Sequence, residues 1–108
     1  MIQNKVLSLL GLATRSRNVA SGEFMTENAV KSGKAYLVIV ACDASDNTKK
    51  EFVNMCKFYH VPVCQFSTKA ELGHAMGKEM RASLAVTDEG FSKSLIKLLN
   101  DGGSRIDG

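Results

Sequence analysis

Between Gly11 and Gly22 the chain carries two glycines and two arginines, Arg15 and Arg17, and the stretch runs into the start of an amphipathic helix. A glycine turn at a helix start leaves backbone N–H groups unpaired, and the helix dipole adds partial positive charge there. Such a corner attracts phosphate. With guanidinium groups beside it, its chemistry is the docking of a sugar–phosphate chain. Lys31 and Lys34 continue the cationic character along the helix, and a second charged loop follows at 77–81, with Lys78, Glu79 and Arg81. A solvated basic rim and a wet loop are the plainer accounts of the same residues.

Other chemistry is thinly represented. Cys56, His60 and Cys64 are spaced by four, which is metal-like. Structural zinc takes four ligands, usually in close pairs, and no fourth is evident. His60 and Cys64 also straddle Pro62, so core thiols and a surface histidine are expected, with neither metal nor cofactor. Asp43 and the pair Asp88-Glu89 follow predicted strands, where α/β enzymes place acids, but helix N-caps are needed at the same points. No nucleophile–base set accompanies them, and Gly73 and Gly77 do not form a phosphate loop. A non-enzymatic protein is expected.

The elements that must hold these residues follow from apolar spacing. Ile2, Val6, Leu9, Leu10 and Ala13 predict a first helix, and Gly22 to Lys31 a second, stopped by Gly33. Val6 to Ala13, preceded by Lys5, also mimics a signal-peptide core, but its helical spacing and the arginines that follow favour a folded helix. Ala35 to Cys42 is continuously apolar, a central strand covered on both faces. Asp43 to Asn47 is a turn and capping cluster. A third helix then carries Lys49, Phe52, Val53, Cys56 and Tyr59 up to the approach to Pro62. Val61 to Phe66 is a strand. Thr68 and Glu71 have capping-box spacing and open a short helix through Met76. After the charged loop at 77–81, Ala82 to Thr87 is a third core strand, and Asp88 caps a last helix with Phe91, Leu95, Leu98 and Leu99 on one face.

Helices alternating with short strands predict an α/β protein, a three-layer α/β/α sandwich around a small mixed, mostly parallel sheet of about four strands. Residues 1–100 make one domain, and the polar, glycine-rich 101–108 read as a disordered tail. Size agrees, since 108 residues suffice for one core and not for two. Three cysteines in apolar surroundings read as reduced thiols of a cytoplasmic protein, and no apolar run is long enough to span a bilayer. A net charge of +3 is only a mild lean toward polyanions, so the placement of charge matters more than its sum.

Several of these segments together carry a resemblance. They are Leu10-Gly11-Leu12-Ala13-Thr14-Arg15-Ser16-Arg17, Ser21-Gly22-Glu23, Leu37 to Ala41 with Asp43-Ala44-Ser45, Val61-Pro62-Val63, Glu71-Leu72-Gly73, and Ala85 to Phe91. In this order the chain resembles the kink-turn RNA-binding ribosomal protein superfamily, the L7Ae, L30e and Gadd-like group. Its opening is similar to the bacterial YlxQ-type subgroup. The resemblance spans residues 3 to 100.

It implies a ribosomal-protein-like factor that binds structured RNA, kink-turn-like or ribosomal. It also implies contacts with the ribosome or other RNA-processing proteins, a monomeric state and no membrane. Members grip bent RNA with the start of the second helix and with a loop before the last strand. Here the first element falls on Ser21, Gly22, Glu23, Phe24, Met25, Asn28 and Lys31, flanked by Arg15 and Arg17; the second falls on Lys78, Glu79, Met80, Arg81 and Ala82. The chain departs from the family at one point: Phe24-Met25 stand where the ribosomal members carry Asn-Glu. Apolar side chains cannot hydrogen-bond base edges, whereas a ring at this place offers stacking to an unpaired base. A hydrophobic staple turned into the core is the alternative for the pair. A protein-interaction module of the same fold, no longer reading kink-turns, is the alternative function.

Overall fold

The computed structural model describes residues 2–107. Along the chain run α1 (Ile2–Arg15), β1 (Val19–Ser21), α2 (Glu23–Lys31), β2 (Leu37–Val40), α3 (Asp46–Tyr59), β3 (Val63–Gln65), α4 (Lys69–Ala75), β4 (Ser83–Val86), α5 (Glu89–Asp101) and β5 (Ile106–Asp107). The strands form one sheet in the order β1-β4-β2-β3-β5. Strands β2 and β4 are buried at every residue, as the apolar runs Leu37 to Val40 and Leu84 to Val86 require. Helices α2 and α3 lie together in one layer, and α1 packs with α4 and α5 in the other. Val6 and Leu10 of α1, Phe52 and Cys56 of α3, Leu72, and Leu95 and Leu99 of α5 fill the space between.

The three-layer sandwich is the expected one, and the sheet is mixed. Only β2 and β3 pair in parallel, however; β4 runs antiparallel to both β1 and β2, and β5 antiparallel to β3. The sheet is therefore mainly antiparallel, with five strands in place of about four. The two strands that the sequence did not mark, β1 and β5, are short edge strands, too brief to carry a period-two pattern. One of them falls in the expected tail. Asp101 closes α5, Ser104 N–H donates to the Leu99 carbonyl, and Ile106 pairs with Cys64. Residues 101–107 run from the last turn of α5 into β5; Gly108 lies outside the described residues.

Helix starts follow local chemistry. Ser45 accepts from Thr48 N–H, Thr68 from Glu71 N–H, and Asp88 from Phe91 N–H. Asp43, expected in the capping cluster before α3, serves another helix: its Oδ1 accepts from Lys69 N–H at 2.8 Å. Pairing of β2 with β3 sets the two following loops side by side, with Cys42 N–H on the Ser67 carbonyl. Gly11 is a buried residue inside α1, as the helical spacing through Ala13 expected, and a Cβ there would stand 2.9 Å from the Ala75 carbonyl oxygen. Glycine there permits the close crossing of α1 and α4.

Candidate nucleic-acid interface

The two elements proposed from sequence meet because β1 pairs with β4. Ser21 lies opposite Leu84, and Gly22 N–H donates to the Ser83 carbonyl at 3.0 Å. The loop entering β4 therefore opens beside the head of α2. Arg81 joins them directly: its Nε donates to Ser21 Oγ at 3.4 Å and its Nη1 to the Met80 carbonyl at 3.0 Å. These bonds orient a half-buried guanidinium and leave its remaining N–H groups available.

Gly22 is required by conformation. Its φ of +92° with ψ 156° is a region open essentially to glycine alone. No side chain caps α2, in contrast to α3, α4 and α5. Thr26 N–H begins the helical ladder on the Gly22 carbonyl, so the amides before it have no partner within the helix. Below this head, buried Thr26 accepts from Ser83 Oγ at 3.3 Å and ties α2 to β4.

Phe24 and Met25 are not a staple. Phe24 is 77% exposed and Met25 49%, and Met80 across the gap is exposed as well. Thr26, Ala29 and Val30 face the core, so Phe24, Asn28 and Lys31, spaced by four and three, share the outer face. Lys31 pairs there with Glu27 at 3.4 Å. Lys78 and Glu79 are exposed in the loop, and Glu23 is exposed in the first turn, so two carboxylates border the cationic corner.

Sequence reasoning missed what holds the second loop. Lys78 N–H donates to the Gly73 carbonyl at 2.8 Å and Arg81 N–H to that of Lys69 at 3.0 Å. A Cβ on Gly73 would overlap the Glu79 carbonyl group. Gly73 thus lets residues 78–80 lie flat on α4. The signal was a glycine inside an otherwise good helical segment, which marks close approach.

Arg15 and Arg17 are not brought to Gly22. Arg15 lines a groove of about 570 Å³ between α1 and α4, together with Gly11, Glu71 and His74. Arg17 precedes β1, where Thr87 N–H donates to the Asn18 carbonyl. Three strand residues, roughly 10 Å at 3.3 Å each, separate it from Gly22. The evenly spaced trio at 56, 60 and 64 also divides. Cys56 and Cys64 are buried, and burial pushes each thiol up to about 12, while His60 is exposed at the end of α3.

The sequence matches the ribosomal protein L7Ae/L30e/S12e/Gadd45 family over residues 4–96. The chain belongs to this family. It is 45% identical over 92 residues to the RNA-binding protein YlxQ of Bacillus subtilis, covering 85% of this chain and 92% of that one. To the large ribosomal subunit protein eL8 of Thermoplasma volcanium it is 27% identical, covering 89% and 80%. A solved structure of a protein with unknown function from Bacillus halodurans superposes with a TM-score of 0.86 at 42% identity, covering 89% of this chain and 97% of that one. The Giardia lamblia 15.5kD RNA binding protein superposes with a TM-score of 0.77 at 20% identity, over 93% and 86% of the two chains, which establishes the shared fold. No helix among the described residues is long and apolar enough to cross a membrane.

Proposed function

We propose that this protein binds structured RNA of the bent, kink-turn-like kind as a non-enzymatic, ribosome-associated factor of the cytoplasm. The observation that carries the reading is the convergence of an uncapped helix head with the oriented Arg81 guanidinium. Gly22 lets a backbone approach closely, and the open amides with Arg81 hold phosphate. Lys31 and Lys78 add charge, Phe24 stacks an unpaired base, and Asn28 is left to read a base edge. Met80 packs beneath the bent strand. The names of the Bacillus subtilis and Enterococcus faecium relatives, both RNA-binding proteins, support the ligand class.

Gel-shift titration of a kink-turn stem over a salt series tests this. A slope on the order of three or four released counterions is expected. Arg81→Glu should weaken binding by roughly 30-fold or more, since a charge-assisted contact is replaced by repulsion. Undiminished binding by that variant would overturn the assignment. The exposed apolar trio Phe24, Met25 and Met80 favours a second reading, a protein-docking module. A discrete protein co-purifying in place of nucleic acid would select it.

A further inference from the structure

We propose that the opposite pole of the molecule is a second RNA surface, one that takes an unpaired strand. The proposal rests on the reading above for its ligand class but, apart from Lys31, on different residues. Strands β1 and β2 both run antiparallel to β4, so they run parallel to each other. Helices α2 and α3 follow them, return side by side, and end at the same pole. That pole gathers Lys31 and Lys34 from the end of α2, and Lys57, Phe58, Tyr59 and His60 from the end of α3. Tyr36 enters there too, its N–H on the Val86 carbonyl, while Thr87 beside it binds the carbonyl of Asn18, next to Arg17.

The aromatic rings carry the inference. Phe58 is 76% exposed, Tyr36 and Tyr59 are exposed as well, and Phe58 and Tyr59 meet edge to face with centroids 5.0 Å apart. Lysines at helix C-termini have an ordinary structural use, because they complement the dipole. Bare rings have none. Segments 31–36 and 55–61 hold three lysines and no carboxylate. Among the described residues Lys34 and Lys57 form no ion pair, whereas Lys31 meets Glu27. Three acids stand nearby. Asp107 shares a cleft of about 610 Å³ with Lys57 and His60, and Asp88 and Glu89 open α5 beyond Thr87. Stacking platforms interleaved with cations suit a single strand, since every base has a π-face and every linkage a phosphate. The outer face of α2, with Phe24, Asn28 and Lys31, joins this pole to the Gly22 corner.

The chain has no tryptophan and two tyrosines, Tyr36 and Tyr59, both at this pole. Tyrosine emission therefore reports this surface alone. Titration of the full chain with an unstructured uridine-rich oligoribonucleotide should quench that emission. The double variant Lys57→Glu, Phe58→Ser should weaken the response by roughly fivefold or more, with an unchanged melting temperature. Arg81→Glu should leave it in place, so failure of the kink-turn reading and failure of this one are distinguishable. Three results would overturn it: unchanged emission at high oligonucleotide, a double variant that responds like the parent chain, or equal quenching by polyglutamate. The last would assign the pole to an acidic protein segment.

Discussion

The heads of α2 and α5 follow neighbouring antiparallel strands and stand at opposite ends of the sheet. They present the same unpaired amides and the same dipole, yet the chain treats them differently. At α5, the Asp88 carboxylate accepts from Phe91 N–H at 2.8 Å and neutralises the helix end from within. At α2, Gly22 supplies no side chain, and Arg81 stands by. One head is closed by its own side chain, and the other is left open, as the proposed phosphate contact requires. An identical physical feature becomes structure or site according to one residue.

The largest expected effect comes from the support of the open head. Gly73→Ala drives a methyl group into the Glu79 carbonyl, so residues 78–81 must lift from α4. Overpacking of this kind costs about 1–3 kcal/mol. Urea denaturation should show that loss, and kink-turn titration of the folded variant should show weakened binding in parallel, because Arg81 moves with the loop. A variant that loses stability and keeps full affinity would separate the loop from the site.

Phe24→Ala sharpens the comparison from the other direction. The ring is exposed, so the melting temperature should stay within a degree or so, surface changes being small. If Phe24 stacks a base, affinity should fall by about 1–3 kcal/mol, a factor of roughly 5 to 150. Calorimetric titration beside a melting curve reads both. At the closed head the pattern should invert. Asp88→Ala should lower stability by about 1 kcal/mol and leave kink-turn affinity unchanged.

Legibility in the sequence followed the length of the pattern. β2 was visible because four apolar residues in a row need cover on both sides, β4 because Leu84, Ala85 and Val86 do the same after Ser83, and α5 because Leu95 and Leu99 recur at helical spacing. Thr68 and Asp88 announced their helices through capping chemistry. By contrast, β1 and β5 hold three and two residues, and their pairing is imposed by β4 and β3. Missing β1 hid the geometry of the site. Without it, Arg15 and Arg17 looked adjacent to Gly22, since nearness along the chain stood in for nearness in space. Gly11 was placed in the first helix correctly, but its packing role against α4 had no signal in one dimension.

Arg17 leaves the smallest and most discriminating effect. Every helix ends through a residue of positive φ: Gly33, Gly77 and Gly103 do so freely, but Arg17 at +63° and His60 at +59° do not. Around Arg17 the closing bonds are complete, with Asn18 N–H on the Ala13 carbonyl at 2.9 Å and Arg17 N–H on that of Thr14 at 3.0 Å. The left-handed conformation costs a residue with a Cβ about 1–2 kcal/mol, and glycine returns part of that relief through a looser unfolded chain. Arg17→Gly should therefore raise stability by about 0.5–1 kcal/mol in urea denaturation. The substitution also removes one cation from the pole that carries Tyr36. Salt titration with the unstructured oligonucleotide should lose close to one counterion from its slope. A more stable variant with a shallower salt slope means the strain at Arg17 is kept for its charge. Unchanged stability means the Arg17 side chain already offsets its own backbone cost, and the contrast with the glycine-closed helices fails there.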